Sequence, residues 1–172
     1  MRILVLPLSL ATAACAGLYT PPPPAVPTPA FSAQRFFDGR TQGDGMLKIA
    51  LSKPRHVIVD GRGRIESDGT LVLDQAVSQE KAAPEHRQWR IHETSVGHYA
   101  GTLSDATGPV SGDVTGNQLH LRFTMKHGLI ADQWLELAAD GQSAQNRMTF
   151  SKFGLVVARL NETIRRVHQT GG

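Results

Sequence analysis

Along most of this chain, apolar and polar residues alternate with a period of two. Leu47, Ile49 and Leu51 alternate with Met46, Lys48 and Ala50, and Leu71 and Leu73 flank Val72. Further on, Leu119, Leu121, Phe123 and Met125 alternate with His120, Arg122, Thr124 and Lys126. Successive side chains of a strand point to opposite faces, so one set is sent toward a core and the other toward water or a polar cavity. Turn-forming residues punctuate the runs: Ser67-Asp68-Gly69, Val96-Gly97, Thr107-Gly108-Pro109, Gly116-Asn117, Lys126-His127-Gly128 and Asp140-Gly141. Many short strands spaced about ten residues apart predict an antiparallel sandwich or barrel. Asp60-Gly61 would suit a hairpin turn, but Arg55 to Glu66 is expected as one bent strand with glycines at the bends. Leu155 to Val167 fits a strand or a helix.

The N-terminus breaks this pattern. Arg2 precedes an apolar run from Ile3 to Ala11, too short for a bilayer span of about 20 residues. Ala11-Thr12-Ala13-Ala14 then leads to Cys15, the one cysteine of the chain. This predicts a secretory signal over residues 1–14 and lipidation of Cys15. Several acyl chains, at about 0.8 kcal/mol per buried methylene, hold a protein to a membrane where one would not. Thr12 stands where lipoprotein signals usually carry an aliphatic residue, so ordinary cleavage after Ala13 or Ala16 is the alternative. If Cys15 is lipidated, Ala16 rather than an aspartate follows it, and the resemblance to Gram-negative lipoproteins implies the periplasmic face of the outer membrane, with a soluble periplasmic protein as the other address. Thr20 to Ala30 is proline-rich and favours extended polyproline II. Residues 15–30 are therefore expected as anchor and linker, and residues 31–172 as a single domain.

Composition narrows the function classes. The formal charge is only +3 and the arginines are scattered, which excludes an evident nucleic-acid patch. Seven histidines occur, none at metal-ligand spacing with a carboxylate. No nucleophile elbow, phosphate-cradling loop or Cys/His pair is present, so no catalytic motif, metal or cofactor is expected.

One set of motifs is more specific. Phe36-Phe37-Asp38-Gly39 is followed by Gly43-Asp44-Gly45, then Arg87-Gln88-Trp89-Arg90-Ile91 and Tyr99-Ala100-Gly101. Asp132-Gln133-Trp134-Leu135 comes later, and Asn146-Arg147-Met148-Thr149-Phe150-Ser151-Lys152-Phe153-Gly154 closes the set. The chain thereby resembles domain of unknown function 3833, a bacterial, often lipoprotein-like family, over about Phe36 to Arg166. The resemblance implies an antiparallel lipocalin-like (calycin) up-and-down β-barrel of about 8–10 strands. It also implies, by association alone, a role connected with lipids. Acidic residues are usual in the family at the places of Gln75 and Gln133, so no role needing a carboxylate is expected at either.

Candidate binding residues follow. Arg87 or Arg147 inside a barrel would hold a carboxylate or phosphate, for which a planar guanidinium is suited. Trp89, Tyr99 and Trp134 would wall an apolar pocket, with Asn146 and Lys152 beside Arg147. The alternative is structural: both tryptophans plug the barrel, and Asn146 and Arg147 satisfy backbone groups at its closure. Asp105, Gly108 and Asn117 are expected as turn residues. The reading preferred from sequence is an exported barrel that binds a lipid or fatty acyl ligand. An enzyme acting on modified acyl chains and a ligand-free assembly protein stand beside it.

Overall fold

The computed structural model describes residues 22–80 and 82–167. The expected lipidation site at Cys15 and the signal lie outside the described residues. Ten antiparallel strands close into one barrel: β1 (Gly39–Ile49), β2 (Arg55–Ile65), β3 (Leu71–Gln79), β4 (Glu85–Ser95), β5 (His98–Leu103), β6 (Val110–Thr115), β7 (Gln118–Met125), β8 (Leu129–Leu137), β9 (Ser143–Lys152) and β10 (Leu155–Val167). Each strand pairs with its neighbours in sequence, and β1 pairs with β10 to close the ring. This up-and-down closure leaves no edge strand unpaired.

Every turn expected from sequence joins two strands. Arg55 to Ile65 is one strand, with Asp60 and Gly61 in its middle rather than at a turn. The last segment is a strand, β10, whose register against β9 shifts between Val156 and Ala158. Leu51 is a correction. It was expected on the inward face of β1, but it stands fully exposed in the β1–β2 turn with a φ of 60°. The alternation ends at Ile49, because Lys48 Nζ donates to Ser52 O and the chain turns there.

The two ends of the barrel differ. At one end Phe31 and the short helix α1 (Ala33–Phe37) form a plug, with Phe36 and Phe37 edge to face at 4.9 Å. Ser32 caps the start of α1. The Arg166 guanidinium donates to the carbonyls of Arg35, Phe36 and Asp38 at its end, as cations do at helix C-termini. Gly63 is required beneath the plug, since a Cβ there would lie 1.9 Å from Phe37 O. The proline-rich segment joins this end. Val26 N donates to Asn117 Oδ1, Gln118 Nε2 donates to Pro23 O, and Phe31 N donates to Gly116 O. Its described part is thus fastened to the barrel, where a free-standing linker was expected. Asn117 is correspondingly more than a turn residue: it is buried and also donates from Nδ2 to Leu137 O at 2.9 Å.

Inward side chains fill the plugged half: Leu71, Leu119 and Leu135 are wholly buried, with Ile91, Tyr99, Leu137 and Ile164 around them. Each such leucine contributes about 1.5–3 kcal/mol by leaving water. The other half, toward the β1–β2, β3–β4, β5–β6, β7–β8 and β9–β10 turns, is hollow.

Candidate functional site

The hollow half holds a cavity of about 190 Å³. Its wall is mostly apolar: Leu47, Val57, Val77, Met125, Phe150 and Leu160 are the chief contributors. Glu85 and Asp105 stand at its rim, and Arg87 reaches in from β4. A larger concavity of about 710 Å³ is lined mainly by outward residues of β1–β4, among them Arg40, Asp60, Arg62 and Asp74. Its polar groups largely pair with one another, as in Gln42–Asp60 and Gln88–Asp74. The smaller cavity is the better ligand site, because it is the less open of the two and its wall is mostly apolar down to a cation that borders both concavities.

That cation is Arg87. Its Nε donates to Gln75 Oε1 at 2.9 Å, and the same oxygen accepts from Trp89 Nε1 at 2.8 Å. Among the described residues no carboxylate lies within ion-pair distance of Arg87. Burial pulls the guanidinium below its ordinary pKa, opposed by Glu162, Asp105 and Glu85. Strand pairing explains the juxtaposition: Gln75 is opposite Arg87 and Leu73 opposite Trp89, all on the inward face. Trp89 then packs edge to face on Phe123 at 5.2 Å, which fixes the ring whose N–H orients Gln75.

On the opposite wall lies a second polar group. Glu162 on β10 is 6% exposed, and its Oε2 accepts from Asn146 Nδ2 at 2.7 Å. Burial raises its carboxyl above the ordinary range, while the Asn146 bond and the distant Arg87 charge counter this. Glu162 Oε1, Asn146 Oδ1 and Gln133 Oε1 are buried acceptors without a donor among the described residues. Space for Glu162 comes from β1. A Cβ on Gly43 would fall 1.8 Å from Glu162 Oε1, and one on Gly45 would fall 2.8 Å from Glu162 Cβ.

The candidate residues named from sequence separate into two groups. Arg87, Trp89 and Asn146 face the interior and belong to one polar layer. Tyr99 is also inward but sits at the plugged end, where burial raises its phenol and Ser32 and Ala33 bond it. Trp134, Arg147 and Lys152 do not line the cavity. On β8 and β9 the inward positions are Gln133, Leu135, Asn146 and Met148, so Trp134 and Arg147 point out, while Lys152 shares the parity of Met148 but ends β9 at the rim. Trp134 stacks on His120 at 4.1 Å, Arg147 pairs with Glu136 at 3.0 Å, and Lys152 lies over the Phe153 ring. Sequence reasoning missed Gln75 and Gln133 as interior partners, and Glu162 altogether. Its available signal was Gly43-Asp44-Gly45, two inward glycines that leave room for a large side chain opposite.

Known proteins share parts of this picture. The S-type phycobiliprotein lyase CPES from Guillardia theta superposes with a TM-score of 0.65 at 9% identity, covering 81% of this chain and 95% of that one. Rv2717c from M. tuberculosis superposes with a TM-score of 0.61 at 14% identity, covering 79% and 96%. At these identities the likeness is one of fold, the lipocalin-like barrel expected from sequence. Ribosome-binding factor A of two Tropheryma whipplei strains (Twist and TW08/27) is 28% identical over 95 residues. The chain spans about half the length of those curated relatives, 47%. A family model described as a protein of unknown function (DUF3833) matches residues 11–166.

Proposed function

The chain belongs to the DUF3833 family, and from that premise we propose that it is a binding barrel for a small amphipathic molecule with an anionic head. The observation that carries this is Arg87. A half-buried guanidinium against an apolar wall costs free energy without a charged partner. Of its five N–H donors, one is used, by a neutral amide oxygen. An oxyanion at the cavity floor would take the rest as charge-assisted bonds, with its apolar part among Leu47, Val77, Met125 and Phe150.

Size limits the ligand. The cavity, about 190 Å³, exceeds the roughly 150 Å³ that encloses a benzene ring, and is below the roughly 300 Å³ of drug-sized sites. A short acyl chain or one ring fits wholly inside, and a longer chain would leave through the mouth. That is the form in which the fatty acyl reading stands. Glu162, the one buried carboxylate of this layer, lies beneath the cavity rather than on its wall, so no acid–base step on a ligand is assigned to it.

Titration calorimetry with octanoate and octylamine tests the reading. Octanoate should bind, and Arg87→Leu should weaken it roughly 10- to 100-fold, the loss of a hydrogen-bonded charge worth about 1.5–3 kcal/mol. Equal binding of the amine, or an unaffected Arg87→Leu protein, would end the proposal. We also propose export and lipidation at Cys15. Residues 23–31 run along the plugged end. Membrane fractionation of the Cys15→Ser protein tests the anchor, and partitioning identical to the parent would refute it.

A further inference from the structure

The rim of the cavity mouth is uneven. Three neighbouring turns, β7–β8, β9–β10 and β1–β2, form one arc, because β9–β10 borders both β8 and β1 in the ring. Along residues 46–55, 124–131 and 149–160 this arc contains no aspartate or glutamate. It carries Lys48, Lys53, Arg55, Lys126, His127 and Lys152, whereas the acidic rim residues Glu80, Glu85 and Asp105 belong to the other side. Apolar side chains stand at its tips. Leu51 is fully exposed, Phe153 is 94% exposed and Leu155 is 57% exposed.

Leu51 and Phe153 hold φ values of 60° and 51°. Such residues rarely adopt the left-handed region, which costs about 1–3 kcal/mol. Here the conformation lifts two large apolar groups into water at adjacent hairpin tips. Ala50 N bonds to Val157 O, which holds the two hairpins together. At Phe153 the conformation is the one a two-residue hairpin turn needs, with Gly154 at a φ of 78° beside it, so the turn and the exposed ring come together.

We propose that this arc docks on an anionic lipid surface, with the cavity mouth facing the bilayer. Separate apolar tips suit insertion into a soft interface, and the surrounding lysines suit anionic headgroups. A nucleic acid would call for stacking platforms, and the arc has one exposed phenyl ring, Phe153. A rigid protein partner would call for a contiguous apolar patch, and here the apolar groups are divided among cations. The docking would place the apolar cavity wall beside lipid, giving a ligand a short path between the two. This inference does not depend on what the cavity holds.

The test uses the full chain with Cys15→Ser and one introduced cysteine, Phe153→Cys or Val96→Cys, carrying an environment-sensitive fluorophore. Val96 is 95% exposed in the β4–β5 turn at the plugged end, and serves as the opposite pole. Vesicles of phosphatidylglycerol and phosphatidylcholine should blue-shift the label at 153, and doxyl-lipids should quench it. The label at 96 should respond little, and pure phosphatidylcholine should produce little effect at either site. Lys53→Glu with Lys126→Glu should raise the lipid needed at least tenfold, since each nearby lysine contributes about fivefold. Lipid contact made only through the N-terminal segment would instead bring the label at 96 to the bilayer. That result, no response at 153, or a response indifferent to anionic lipid would each overturn the proposal. Docking without octanoate binding would remove the ligand reading and leave this one.

Discussion

Replacing Glu162 by Gln removes a titrating group from the barrel at almost constant volume. The carboxyl is buried, accepts one bond from Asn146, and leaves Oε1 without a donor. Its pKa is raised from 4.5 chiefly by desolvation, so the folded protein holds this proton to higher pH than the unfolded chain does. Below the unfolded value both states are protonated and the group contributes no pH dependence. As pH rises through the interval above 4.5, the unfolded chain loses its proton first, and stability falls by up to about 1.4 kcal/mol per pH unit. Glutamine cannot titrate. It keeps an oxygen for Asn146 Nδ2, and its NH₂ brings a donor into a layer that holds unpaired acceptors at Asn146 Oδ1 and Gln133 Oε1. Urea unfolding of both proteins from pH 4 upward gives the difference directly. The advantage of Glu162→Gln should grow with pH in that interval and then level off, and Arg87→Met in the Glu162 background should widen it, because the Arg87 charge lowers the Glu162 pKa. A difference that stays constant with pH, or one that shrinks as pH rises, would refute the assignment of a desolvated carboxyl at this place.

Other substitutions probe the surrounding geometry. Gly63→Ala drives a Cβ against the backbone carbonyl of Phe37 and should destabilise by about 1–3 kcal/mol in thermal melts. The nearest atoms to a Cβ on Gly43 are all in the Glu162 side chain, so the cost of Gly43→Ala should be smaller and should be relieved by a second change, Glu162→Ala, in a double-mutant cycle. Asn117→Ala removes the bonds to Val26 and Leu137 and should cost about 2 kcal/mol, at roughly 1 kcal/mol each; limited proteolysis should then cut within residues 22–30. Trp134→Phe should leave octanoate binding unchanged within twofold, whereas Trp89→Phe, which deprives Gln75 of a donor, should weaken it.

Several elements were legible in the sequence for a simple reason. Where apolar residues occupy every second position, as in Leu119 to Met125, strand, face and register follow from the pleat. Turn chemistry located six of the hairpins in the same local way. Trp134 shows how a conspicuous residue misleads: it shares its parity with Asp132 and Glu136, and that polar company already marked an outward face. Asn146 and Arg147 are neighbours in sequence, so one had to be inside and one outside, and the strand alone did not say which mattered.

The functional layer needed closure of the ring. Arg87 on β4 and Glu162 on β10 are 75 positions apart, and only the barrel sets their charges facing across one lumen. Gly43 and Gly45 gain meaning in the same step, since the side chain they admit comes from the other end of the chain. Period two is the same for a solid barrel and a hollow one, because alternation records which side a residue faces and not how far away the opposite wall stands. Local patterning therefore determined an antiparallel fold of many short strands, sandwich or barrel, and the family resemblance implied the barrel. Tertiary packing decided that one half is filled by leucines and a phenylalanine plug, and that the other half stays open above Arg87.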